Sequence, residues 1–121
     1  MALILVIDDH PMVRSVLRRG LESMGHSVHE AEDGRAGMAL LAHLPVDLVV
    51  TDILMPEADG IEVLRSVRRA TPRTRVVVIT GLRDGGAGRL DNARAFGADA
   101  VLCKPFTLGE LRETVEALLL P

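Results

Sequence analysis

Leu3-Ile4-Leu5-Val6-Ile7-Asp8-Asp9 is a run of five aliphatic residues closed by two aspartates. A run this short, with no polar alternation, suits a strand buried on both faces, and such strands belong to parallel sheets covered by helices. The pattern recurs downstream. Residues 46–51 are an apolar strand closed by Asp52, residues 75–79 one closed by Thr80, and residues 100–103 one closed by Lys104. A shorter strand is expected over 27–31. Between the strands the period changes to that of helices. Val13, Val16, Leu17, Leu21 and Met24 mark a helix over 12–24 that Gly25 stops. Asp33 caps a second helix to residue 41, with Ala36, Ala39 and Leu40 facing inward. Ile61, Val63, Leu64 and Val67 mark a third over 59–70. A glycine-rich stretch, 81–88, precedes a short helix over 90–96 that Gly97 stops. Thr107 caps the last helix, to residue 119, with Glu110 completing a capping box.

Five alternations of strand and helix predict an α/β, three-layer sandwich, because parallel strands require crossovers that cover both faces. Ligands of such sheets bind outside the carboxyl ends of the strands, near a point where the strand order reverses. Asp8, Asp9, Asp52, Thr80 and Lys104 all fall at those ends, so residues far apart in the chain converge on one rim.

Composition narrows the function. The chain has 121 residues and is 48% hydrophobic with 2% aromatics, which fits one domain with an aliphatic core. A net charge of −3 and the lack of a basic stripe argue against direct nucleic-acid binding. One cysteine forms no intrachain disulfide and fits a reducing, cytoplasmic setting. No signal peptide is expected at the start, and no apolar stretch is long enough to span a bilayer. Every cation is arginine except Lys104. Arginine with much alanine and glycine fits a GC-rich genome, and against that background the one lysine stands out. Lysine offers a compact ammonium on a flexible stem, which arginine does not.

Three carboxylates and one ammonium at strand ends suit a divalent cation and a phosphoryl group. Hard cations such as Mg²⁺ take carboxylate and carbonyl oxygens and keep several waters. Asp9, Asp52 and a backbone carbonyl from the loop after Asp52 would form a half-open shell. Each residue also has a plainer reading. Asp8-Asp9 reads as a helix cap, Asp52 as a turn residue before Met55-Pro56, and Lys104 as a solvated strand end. All four on one rim is what separates the two readings. His10 reads as the first turn of the following helix, with metal ligation as the alternative. His26, His29 and His43 share no spacing and read as surface; Cys103 reads as core. Gly85-Gly86-Ala87-Gly88 is not a phosphate-binding P-loop, since no Gly-Lys-Ser/Thr follows it.

Val6-Ile7-Asp8-Asp9, Asp52-Ile53-Leu54-Met55-Pro56 with Asp59-Gly60, Thr80-Gly81 and Lys104-Pro105-Phe106 together resemble the receiver domain of bacterial two-component response regulators. The resemblance covers essentially the whole chain as one domain, 1–121. It implies a flavodoxin-like fold, a five-stranded parallel sheet of order 2-1-3-4-5 with five helices. It implies that Asp52 is the nucleophile that accepts a phosphoryl group from a histidine kinase, a phosphotransfer protein or a small phosphodonor. It implies Mg²⁺ at Asp9, Asp52 and the Leu54 carbonyl, with Asp8 acting through water, while Lys104 and Thr80 meet the phosphoryl oxygens. Lys104-Pro105 is expected to be cis. The chain would be a signalling switch rather than an enzyme beyond its own phosphorylation and slow dephosphorylation. Its partners would be a sensor kinase or phosphotransfer protein and a downstream protein, with a homodimer through the fourth helix, fifth strand and fifth helix also in view. No helix-turn-helix output fits before Pro121.

Two features depart from the family. Val101 stands three residues before Lys104, where receivers usually carry Tyr or Phe, and the glycine-rich 80–97 stretch is about two residues longer than in a chemotaxis-type receiver. Glycine costs about 1 kcal/mol per helical position, so the helix expected over 90–96 should start late. The residues two after Asp52 and two after Thr80 are Leu54 and Leu82, neither of which can orient water. The competing readings are a haloacid-dehalogenase-like phosphatase and a non-phosphorylated docking receiver. The first needs a second acid two residues after its nucleophile, which Asp8-Asp9-His10 lacks; the second is opposed by the intact Asp9, Asp52, Thr80 and Lys104.

Overall fold

The aliphatic runs are all strands, and they lie parallel in one sheet. The computed structural model describes residues 2–52, 60–70, 73–81 and 97–120. In chain order the strands are β1 (Leu3–Ile7), β2 (Ser27–Ala31), β3 (Leu48–Asp52), β4 (Arg75–Gly81) and β5 (Ala100–Lys104). Their order in the sheet is β2-β1-β3-β4-β5. The register sets Val6 beside Val50, Thr51 beside Val78 and Thr80 beside Cys103. Among the described residues there are four helices, α1 (Pro11–Ser23), α2 (Gly34–Leu41), α3 (Gly60–Ala70) and α4 (Leu108–Leu119). The short helix expected over 90–96, which would make five, lies outside the described residues, as does the Leu54 carbonyl.

Alternation along the strands sorts the core into two layers. Ile4, Val6, Leu48, Val50, Val77, Ile79 and Leu102 pack against Leu17 and Leu21 of α1 and Leu111 and Val115 of α4. Leu5, Ile7, Val49, Val76 and Val78 pack against Val63, Leu64 and Val67 of α3, with α2 contributing Ala36 and Leu40. Fully burying each such side chain contributes about 1.5–3 kcal/mol, which makes the aliphatic runs the main favourable term against the entropy lost on folding.

Local chemistry sets the helix ends. The Asp33 side chain accepts from the Ala36 N–H at 2.8 Å. Thr107 Oγ1 accepts from the Glu110 N–H at 3.0 Å while the Glu110 carboxylate accepts from the Thr107 N–H at 3.2 Å, the expected capping box. Gly25 and Gly97 have φ of 94° and 99°, a backbone region that favours glycine.

Several expectations need correction. The third strand runs 48–52, because pairing with β1 begins at Leu48; Asp52 is its last residue rather than the one after it. The fourth strand continues through Thr80 and Gly81, which pair with Cys103 and Lys104. Cys103 is exposed, not core: β5 is the last strand of the sheet, so its outer flank faces solvent. Ala39 is exposed, and the buried residues of α2 are Gly34 and Gly37. A Cβ on Gly37 would sit 2.4 Å from Ile7 Cδ1, so α2 lies too close to β1 for any side chain there. Val16 is exposed as well, as is Met12. His26 is half-buried and its Nδ1 accepts from the Ala2 N–H at 3.2 Å.

Candidate functional site

Asp8 follows the last residue of β1 and is fully buried. Three of its polar groups are held by protein. Its N–H donates to the Ala31 carbonyl at 3.1 Å, prolonging the β1–β2 pairing. Its carbonyl accepts from Arg14 Nη1 at 2.7 Å. Its Oδ1 accepts from the His10 N–H at 2.8 Å. Oδ2 is buried with no partner. A buried polar atom left without a partner is costly, so Oδ2 calls for a ligand.

Asp9 is half-buried and Asp52, at the tip of β3, is 4% exposed. Carboxylate oxygens of Asp8, Asp9 and Asp52 lie within 4.8 Å of one another. The Lys104 ammonium reaches from the end of β5 to 3.1 Å from Asp52 Oδ2. The buried Thr80 sits between them on β4, since the register pairs Ile79 with Asp52 and Gly81 with Lys104. Five of the residues singled out by sequence therefore share one rim. The Lys104-Pro105 bond is cis. The aspartates do not cap α1: the N-cap position is His10, whose side chain makes no cap bond. His10 Nε2 is 3.9 Å from Asp9 Oδ1 and its side chain is 67% exposed, so it reads as a rim residue.

The electrostatics follow from this crowding. Burial raises the Asp8 carboxyl above the usual aspartate range, and the Asp52 and Asp9 charges push the same way; the His10 N–H and Lys104 oppose them. Three carboxylates with one ammonium leave a negative excess in a poorly hydrated place, which favours cation binding. The donor set suits a hard divalent cation: all three groups are carboxylates, and the orphaned Asp8 Oδ2 supplies an unused acceptor. Opposed ligands of Mg²⁺ are about 4.2 Å apart. The 4.8 Å spread thus accommodates direct ligation by some oxygens and a bridging water for another. Sequence reading missed Arg14 and Glu30, which bear on Asp8 from α1 and β2; no periodicity marks where an arginine's terminal nitrogens will reach.

A family model described as the response regulator receiver domain matches residues 4–116. The chain belongs to that family. This receiver is 44% identical over 116 residues to the response regulator MprA of Mycolicibacterium vanbaalenii, covering 96% of the chain and 49% of that protein. It is 38% identical to the transcriptional regulatory protein QseB of Haemophilus influenzae, covering 96% and 52%. The receiver thus spans about half the length of these relatives. Among solved structures, the Vibrio cholerae chemotaxis protein CheY4 superposes with a TM-score of 0.90 at 27% identity, covering 98% of this chain and 99% of that one. A receiver domain protein from Clostridium thermocellum gives 0.88 at 31% identity, covering 98% and 94%. The flavodoxin-like order and the receiver function in two-component signalling are therefore established for the chain, and neither the phosphatase reading nor the docking reading has an observation in its favour.

Proposed function

We propose that this receiver, as one domain over 1–121, is switched by phosphorylation of Asp52. The supporting observation is the rim itself: a nearly buried carboxylate flanked by two more and met by the ammonium of the chain's single lysine at 3.1 Å. An Asp52 carboxylate oxygen attacks the phosphorus of a phosphohistidine on a sensor kinase or phosphotransfer protein; the P–N bond breaks and the imidazole leaves with a proton. The ammonium of Lys104 then pairs with a phosphoryl oxygen, and the Thr80 hydroxyl donates to another. Asp9, Asp52 and the Leu54 carbonyl would hold Mg²⁺, with Asp8 bound through water. When bound, the ion neutralises charge on the transferring group. The modification adds about −1.5 to −2 charge and strong acceptors, and the response to it is the signal read by a downstream protein. Apart from this self-phosphorylation and slow reversal, no enzymatic turnover is proposed. A cytoplasmic location accords with receiver function, and among the described residues no helix is long and apolar enough to cross a membrane. A homodimer through the 90–96 region, β5 and α4 is the candidate assembly.

The test is direct. Acetyl phosphate with Mg²⁺ should add one phosphoryl group by mass to the wild type, none to Asp52→Asn, and none in the presence of EDTA. Robust labelling of Asp52→Asn would refute the assignment. The chain has no Trp or Tyr, so a phosphate-affinity gel or NMR replaces fluorescence.

A further inference from the structure

The Asp8–Asp9 peptide lies between the end of β1 and the start of α1, and its orientation places both carboxylates. Its carbonyl, that of Asp8, belongs to neither the β1 ladder nor the helix ladder of α1, whose first bond runs from the Arg14 N–H to the His10 carbonyl. The side chain of Arg14 serves it instead, at 2.7 Å. That guanidinium is itself tethered: Nε lies 3.4 Å from Glu30 Oε1 on β2, an ion pair without hydrogen-bond geometry, and the Arg14 side chain is 17% exposed. Glu30 is held in turn by Arg18 Nη1 at 2.8 Å, and Arg18 Nε by Glu22 at 3.2 Å. The Glu30 carboxyl sits below its usual range chiefly because of the Arg18 bond, with Arg14 adding to it.

We propose that Arg14 is a positioning residue for the metal-binding carboxylates, acting through the Asp8 carbonyl, with Glu30 as the anchor that fixes the guanidinium. The inference rests on the reading that this rim binds Mg²⁺. Asp8 is pinned at its N–H, its carbonyl and Oδ1, which leaves Oδ2 as its one unengaged polar atom, buried and beside Asp9 and Asp52. Releasing the carbonyl frees the peptide plane on which the Asp8 ψ and Asp9 φ both turn, so both carboxylates lose their placement together. The action is positional rather than electrostatic. The guanidinium meets the backbone carbonyl of Asp8 rather than its carboxylate, and Glu30 balances its charge. Groups that orient metal ligands typically change metal affinity by about 10–100-fold when removed.

The experiment compares Mg²⁺ dissociation constants from NMR titration of the full chain, alongside urea midpoints. Arg14→Met keeps the stem and removes the donor; its Mg²⁺ affinity should fall by about tenfold or more. Arg18→Met loosens the Glu30 anchor but leaves the Arg14 donor on the Asp8 carbonyl, and its affinity should fall clearly less than that of Arg14→Met. Arg14→Lys keeps a donor and should fall between the wild type and Arg14→Met. Should Arg14→Met fail to fold, Arg14→Lys against Arg18→Met carries the comparison. Equal losses in the Arg14 and Arg18 variants, or unchanged affinity in a folded Arg14→Met, would overturn the proposal. A wild type that binds no Mg²⁺ would instead remove the reading on which it rests.

Discussion

Lys104 and Asp52, 52 positions apart in the chain, end 3.1 Å from each other, the lysine reaching over the end of β4 from the edge strand. The side chain of Asp52 is 5% exposed and that of Lys104 32%, so the pair joins a buried acid to a cation with access to solvent. On the proposed phosphorylation of Asp52, the ammonium would follow charge from the carboxylate onto a phosphoryl oxygen. Removing one donor aimed at developing negative charge costs about 10²–10³ in rate. Lys104→Met should therefore slow acetyl phosphate labelling of Asp52 by about a hundredfold. Lys104→Arg restores charge without the same placement and should lie between. Wild-type labelling rates in Lys104→Met, read on a phosphate-affinity gel, would contradict the role.

Asp8 should make the metal-free protein less stable at neutral pH than it would otherwise be. Burial, then Asp52 and Asp9, raise its carboxyl above 3.8, so in the window above that value the folded state holds more protons than the unfolded state. Stability then falls as pH rises through the window and stays lowered above it. Asp8→Asn keeps the acceptor for the His10 N–H and removes the charge. Its urea midpoint should exceed that of the wild type at pH 7 without metal, and the gain should shrink toward about pH 4. Added Mg²⁺ should raise the wild-type midpoint more than the variant's. A variant less stable than the wild type at pH 7 would show that the charge is not penalised.

Phosphate should leave this receiver slowly. Hydrolysis needs a water in line with the phosphorus, and the residues two after Asp52 and two after Thr80 are leucines, which offer water neither donor nor acceptor. Leu54→Asn supplies both and should shorten the lifetime of the phosphorylated state. A wild type that loses phosphate as fast as the variant would refute the argument.

Two helical glycines should respond to alanine in opposite ways. At Gly37 the new Cβ would lie 2.4 and 2.8 Å from Cδ1 and Cγ1 of the fully buried Ile7, so β1 or α2 must shift. Overpacking of this kind costs about 1–3 kcal/mol, and Gly37→Ala should lower the urea midpoint. At Gly20 the close atom is Cδ2 of the exposed Leu108, at 2.9 Å, which can swing away. Gly20→Ala should keep up to about 1 kcal/mol of helix propensity and leave the midpoint unchanged or higher. Equal losses at both positions would mean that α1 and α4 pack as rigidly as α2 and β1.

The strands and the rim were legible because burial on both faces demands unbroken aliphatic runs, and the polar residue that ends each run marks where the sheet meets solvent. Asp8, Asp52 and Lys104 could be placed by that signal alone. Cys103 could not, because edge and interior strands read alike until the sheet order is known. His26 reads as surface in the sequence because its bond from the Ala2 N–H joins residues 24 apart. Gly37 gave no sign of its tight approach to Ile7. Arg14 carries no periodic mark either, since what matters is the reach of a long side chain, not the helical face of its Cα.

The alternation that separates the two core layers continues to the strand tips. Asp8, Asp52 and Lys104 have the parity of Val6, Val50 and Leu102, which face α1 and α4; Thr80 has the parity of Val76 and Val78, which face α2 and α3. The sheet is in this sense a wall between two rooms. On the proposed phosphorylation, charge would arrive at Asp52 in one of them, while Thr80, rooted by its parity in the other, would have to answer it from across the wall.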